Sequence, residues 1–68
     1  MNEEALNLSI RKFLKMVGIR SQREIEHAVE KALVEGRLTG NETFPAKMRL
    51  TVDGLQLDVT FEGTIELE

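Results

Sequence analysis

Residues 45–67, PAKMRLTVDGLQLDVTFEGTIEL, decide the fold. Met48, Leu50, Val52, Leu55, Leu57, Val59, Phe61, Ile65 and Leu67 alternate with polar residues, and the phase changes only across Asp53-Gly54. This pattern predicts two strands, about 46–52 and 55–67, joined by a two-residue turn. In that register Val52 faces Leu55, Leu50 faces Leu57, Met48 faces Val59 and Ala46 faces Phe61. The polar face then sets Arg49 against Asp58 and Thr51 against Gln56, which supports the same register independently. Pro45, with no N–H to give, fits the first residue of the first strand.

The second strand outruns the first. Gly63, Thr64, Ile65, Glu66 and Leu67 are left without a partner and form a candidate edge-strand or dimer surface. Because two strands alone are marginal, a short third strand at 37–39 or the same edge of a second copy should complete the sheet. Gly63 is the natural place for a bulge at that changeover.

Working back toward the N-terminus, Leu6, Ile10, Phe13, Leu14 and Val17 share one face at 100° per residue and predict a helix over about 3–17. Asn2 is its candidate N-cap, and Glu3 and Glu4 favour the positive end of the dipole. Gly18 suits a left-handed stop. Ser21-Gln22-Arg23-Glu24 then matches a capping box that opens a second helix over about 22–35, with Ile25, Ala28, Val29, Ala32 and Leu33 as its apolar stripe and Gly36 as its end. Arg37 to Phe44 reads as a connection, and Asn41-Glu42-Thr43, formally a glycosylation sequon, reads as polar loop. The fold class expected is therefore α+β: one domain over 1–68, with an N-terminal αα-hairpin packed on one face of a small, mostly antiparallel sheet.

The bulk chemistry narrows function mainly by exclusion. The chain has 68 residues, no cysteine and a formal charge of −3. A chain this short buries a small core, and without disulfides or thiolate metal sites it must rely on packing or self-association. Residues 1–37 carry seven basic and six acidic side chains, whereas residues 38–68 carry two and six. That balance disfavours non-specific nucleic-acid binding. The acidic Met1-Asn2-Glu3-Glu4 start is unlike a signal peptide or a spanning helix, so a cytoplasmic location and no membrane association are expected.

No catalytic, cofactor-binding or metal site is expected. His27 is the single imidazole and reads as solvated on the charged side of its helix, with only Glu30 as a companion ligand. Ser21 is accounted for as a cap, Asp53 by the turn and Asp58 by Arg49. The glycines fit neither a phosphate loop nor a dinucleotide fingerprint. Arg11, Lys12, Lys15, Arg20 and Arg23 form a run with no acid between them around the expected helix–helix turn, a candidate partner or anion surface beside a helix N-terminus. Two helices followed by a hairpin also raise a winged helix-turn-helix reading, in which the second helix would serve a weak nucleic-acid-binding regulator.

Asn2-Glu3-Glu4-Ala5-Leu6, Ser21-Gln22-Arg23-Glu24-Ile25-Glu26, Gly36-Arg37-Leu38, Gly40-Asn41-Glu42-Thr43, Pro45-Ala46-Lys47 and Ile65-Glu66-Leu67-Glu68 resemble a family of short, uncharacterised bacterial proteins with no known function. The resemblance implies a free-standing bacterial domain, and a terminal Leu67-Glu68 that is native rather than an expression-tag remnant. It carries over no activity and no site residues. The functional expectation is a small non-enzymatic protein-interaction module, homodimeric, with a protein partner or itself as ligand.

Overall fold

The computed structural model describes all 68 residues, which divide into two compact units, Met1–Arg37 and Leu38–Glu68. The first is a single helix, α1 (Glu3–Val34). The second is an antiparallel hairpin of β1 (Thr43–Val52) and β2 (Leu57–Glu66).

The expected αα-hairpin packed on a sheet is therefore corrected to one long helix followed by a two-stranded sheet. Gly18 does not leave the helical region: the glycines with positive φ are Gly36 and Gly40. Ser21 and Glu24 form no capping box, because both lie inside α1. Magnitudes explain the outcome. A glycine within a helix costs about 1 kcal/mol relative to alanine, whereas a second helix would need a fresh nucleus, an unfavourable step of roughly a thousandfold. Nothing after Gly18 forces a stop, since Ile19 to Lys31 contain no proline or glycine.

The ends of α1 behave as the sequence implied. Asn2 has extended backbone, and its Oδ1 accepts the N–H of Ala5 at 3.0 Å, with Glu3 and Glu4 in the first turn. At the other end Gly36 adopts φ +74°. Its N–H donates to the Leu33 carbonyl at 3.1 Å, and the Arg37 N–H donates to the Ala32 carbonyl at 2.9 Å. Those two bonds are the Schellman arrangement, which closes the last turn. Beyond it come Thr39, Gly40 and Asn41, poor helix formers, so this glycine ends the helix where Gly18 does not.

In the hairpin the predicted parity holds but the register is two residues away from the expected one. Val52 pairs with Leu57, Leu50 with Val59, Met48 with Phe61 and Phe44 with Ile65. The turn is longer than Asp53-Gly54. Asp53–Leu55 form one 3-10 turn, and Gln56 takes the left-handed conformation at φ 53°. This places Leu55 at the tip, but it sets Ile65 against Phe44, whereas the two-residue turn would have set Ile65 against Glu42. A slip of two leaves every side chain that stays in the ladder on the same face, so alternation alone could not select between the registers.

Four further expectations fall as well. The segment from Gly63 to Leu67 is not an overhang: Gly63 pairs with Ala46, Thr64 with Pro45, Ile65 with Phe44 and Glu66 with Thr43, and the Leu67 N–H donates to the Glu42 carbonyl at 3.0 Å. Gly63 is in regular pairing and forms no bulge. Residues 37–39 form no third strand. Pro45 is the third residue of β1 rather than the first.

The hydrogen-bond phase explains how Pro45 is tolerated. Pairs in an antiparallel ladder alternate between bonded and non-bonded, and the Leu67–Glu42 bond fixes the phase. Phe44–Ile65 and Met48–Phe61 are then bonded pairs, while Pro45–Thr64 is a non-bonded one. The proline nitrogen accordingly lies on the free edge, where no ladder bond is lost.

Candidate functional site

On the continuous helix the two predicted stripes fuse. Leu6, Val17 and Ala28 repeat every eleven residues, as do Ile10, Ser21 and Ala32, and with Phe13, Leu14 and Ile25 they occupy an arc of about 120°. An eleven-residue repeat keeps a stripe nearly straight along a helix, here over about 40 Å. The repeat is present in the sequence, but Ser21 fits a helix cap as well as a place in the stripe. Ser21 is a half-buried residue within that stripe.

The stripe is largely uncovered. Leu6, Ile10, Phe13 and Leu14 are each exposed by 46–53%, and Ala32 alone in the whole chain is buried. The hairpin has a comparable face, with Met48, Val59 and Phe61 exposed while Phe44, Leu50, Leu57 and Ile65 are half-buried. A lone helix and a two-stranded hairpin are each marginal in water, because neither encloses its apolar face.

The charged residues are arranged differently from expectation. Arg11, Lys12, Lys15, Arg20 and Arg23 lie along about 18 Å of α1 and over about half its circumference. None of them is in an ion pair. No helix begins at Ser21, so no free N–H groups or dipole end gather beside them. The helix-turn-helix reading loses its second helix for the same reason. His27 and Glu30 sit on the side of α1 away from the stripe, and no three His, Asp or Glu side chains converge.

Arg49 and Asp58 do meet. Arg49 Nε donates to Asp58 Oδ1 at 2.9 Å and Arg49 Nη2 to Oδ2 at 2.7 Å. They are diagonal neighbours, since Arg49 lies directly opposite Thr60 and Asp58 opposite Thr51. An arginine is long enough to span that diagonal, which is why the predicted contact survives the wrong register. The guanidinium holds the Asp58 carboxyl below its ordinary range, and the carboxylate raises Arg49 in turn. Lys47 Nζ lies 3.9 Å from Glu62 Oε1 on the same face.

Glu42, expected to be simple polar loop, organises the connection. Its Oε1 accepts N–H groups from Gly40 at 2.9 Å, Asn41 at 3.1 Å and Thr39 at 3.2 Å, while Oε2 accepts from Thr39 at 3.0 Å. The Thr39 bond first, then that of Gly40, holds the carboxyl below its ordinary 4.5, against a smaller opposing effect of desolvation. A carboxyl depressed on folding stabilises the folded state fully above its unfolded value, and that contribution is lost as pH falls through the folded value. The Thr39 and Gly40 amide resonances are therefore expected to titrate together below pH 4.5, and Glu42→Gln to abolish the step. Titration at the ordinary glutamate value would contradict this geometry.

The remaining feature is the outer edge of β2. With the ladder phase fixed, Leu57, Val59, Phe61, Gly63 and Ile65 direct their backbone groups to β1. Asp58, Thr60, Glu62, Thr64 and Glu66 direct theirs outward. No strand lies against that row.

No helix is long and apolar enough to cross a membrane. A family model described as a family of unknown function, DUF6494, matches residues 1–68. No curated protein and no solved structure matches the chain.

Proposed function

We propose that this chain, which belongs to the DUF6494 family of unknown function, is a small non-enzymatic protein-interaction module that works as a homodimer in the cytoplasm. The observation that carries the reading is apolar surface that neither unit can enclose by itself: a long stripe on α1 and one face of the hairpin. Burial is worth roughly 25 cal/mol per Å² of apolar surface, so half-exposed Leu, Ile and Phe side chains leave much of their stabilising potential unused. Apolar surface that is continuous, rather than scattered, marks an interaction site. A second copy is the partner always present at the concentration of the first, and a symmetric contact lets one apolar face cover its own equivalent. The cysteine-free composition leaves association as the available reinforcement for so short a chain.

The test is the mass in solution by light scattering across a concentration series. Twice the chain mass of 7.7 kDa is expected. A mass of one chain at the highest concentration, with the helix intact by circular dichroism, would overturn the homodimer.

A further inference from the structure

We infer that two copies join through the outer edges of β2, antiparallel about a two-fold axis at Phe61, to make one four-stranded sheet ordered β1-β2-β2-β1. This deepens the homodimer reading and rests on it.

The two free edges of the hairpin are not equivalent. On β1 the outward row is Thr43, Pro45, Lys47, Arg49 and Thr51, in which Pro45 has no N–H to give and two cations follow, the usual features that blunt an edge. The outward row of β2 has a donor and an acceptor at every position from Asp58 to Glu66. Pairing β1 of one copy with β2 of the next would leave open edges and continue indefinitely, whereas β2 with β2 closes at two. Of the three acids of β2, Asp58 is held by Arg49 and Glu62 lies near Lys47 within the same hairpin, while Glu66 is the last residue of the strand.

Register follows from face and charge. Continuing the apolar face across the joint requires like faces to lie opposite each other, which limits the axis to a residue position. An axis at Glu62 sets Glu62 against the partner's Glu62 and Asp58 against the partner's Glu66, and an axis at Thr60 sets Asp58 against the partner's Glu62. Like charges directly opposite are destabilising. An axis at Gly63 avoids this but pairs a shorter length of β2. The axis at Phe61 sets Thr60 against the partner's Glu62 and Asp58 against the partner's Thr64 as the bonded pairs. On the apolar face it sets Leu57 against the partner's Ile65 and Val59 against the partner's Gly63. Phe61, exposed by 58%, then meets the partner's Phe61 in a non-bonded pair, where side chains come closest. An aromatic pair is among the favourable cross-strand contacts. Four strands with one apolar face also pass the size at which a sheet becomes stable, which two do not.

Two variants of this cysteine-free chain test the joint. Cα atoms in a non-bonded pair are about 4.5 Å apart, within the range a disulfide spans. Phe61→Cys is therefore expected to cross-link fully to a dimer on mild oxidation, and Glu62→Cys, on the other face and off the axis, to cross-link far more slowly. Thr60→Pro removes an outward N–H without touching a β1–β2 bond and is expected to halve the mass by light scattering; Thr51→Pro, the same change on the β1 edge, is expected to leave it unchanged. A dimeric wild type with a dimeric, folded Thr60→Pro, or with Phe61→Cys that does not cross-link, overturns the edge joint and leaves the homodimer standing. A monomeric wild type overturns both. Should Thr60→Pro fail to fold, the cross-linking comparison decides alone.

Discussion

Replacing Gln22 with proline is expected to cost about 3 kcal/mol or more, because the ring clashes with the Gly18 carbonyl and the N–H that bonds it is gone. A chain of this size holds on the order of 3–10 kcal/mol in all, so the variant should lose much of its helix signal and unfold at far lower denaturant. The substitution is diagnostic because of where it falls. Had Ser21 capped a second helix, Gln22 would occupy its first turn, the one place where proline is welcome, and the change would be nearly neutral. Far-ultraviolet circular dichroism through a urea titration separates the outcomes.

Alanine at the two helix-associated glycines is expected to act in opposite directions. At Gly18 the backbone is helical, and a Cβ would meet nothing within 4 Å, so Gly18→Ala should stabilise by about 1 kcal/mol. At Gly36, φ is +74° and an L side chain is strained whatever the space, so Gly36→Ala should destabilise by about 1 kcal/mol or more. The contrast of roughly 2 kcal/mol between two identical substitutions is readable as a difference in urea midpoint at constant slope. Equal destabilisation at both sites would restore the break at Gly18.

These residues also show what the sequence could and could not convey. Asn2, Gly36 and the strand parity were legible because each is set by local chemistry: a side-chain oxygen for an N–H, a missing Cβ for positive φ, a two-residue period for one face. Gly18 and Ser21 offered equally good local signals and were misleading. A glycine and a capping tetrapeptide also fit inside a helix when no neighbour forces the chain to turn. The register failed differently. Asp53-Gly54 is a strong two-residue turn sequence, but pairing at the far end, Phe44 with Ile65, outweighs it, and a slip of two leaves no trace in the hydrophobic pattern. The Arg49–Asp58 contact was anticipated for a reason that did not hold, since the diagonal serves an arginine as well as the direct opposite position. Glu42 gave no sequence signal, because its role depends on three backbone amides brought round by a loop. Of the candidate surfaces, the basic run lost the turn that was to gather it. The β2 edge remained open, though along Asp58 to Glu66 rather than as an overhang from Gly63.

α1 runs unbroken from Glu3 to Val34, and only on a continuous helix do the two apolar stripes fuse into one. Spin labels at Asn7→Cys and Lys31→Cys, diluted with unlabelled chain, measure this directly. A continuous helix places the two backbone sites about 36 Å apart. Two helices folded back at Gly18 would bring them near the 8–10 Å of packed helix axes, and a short label distance would rule out the continuous helix.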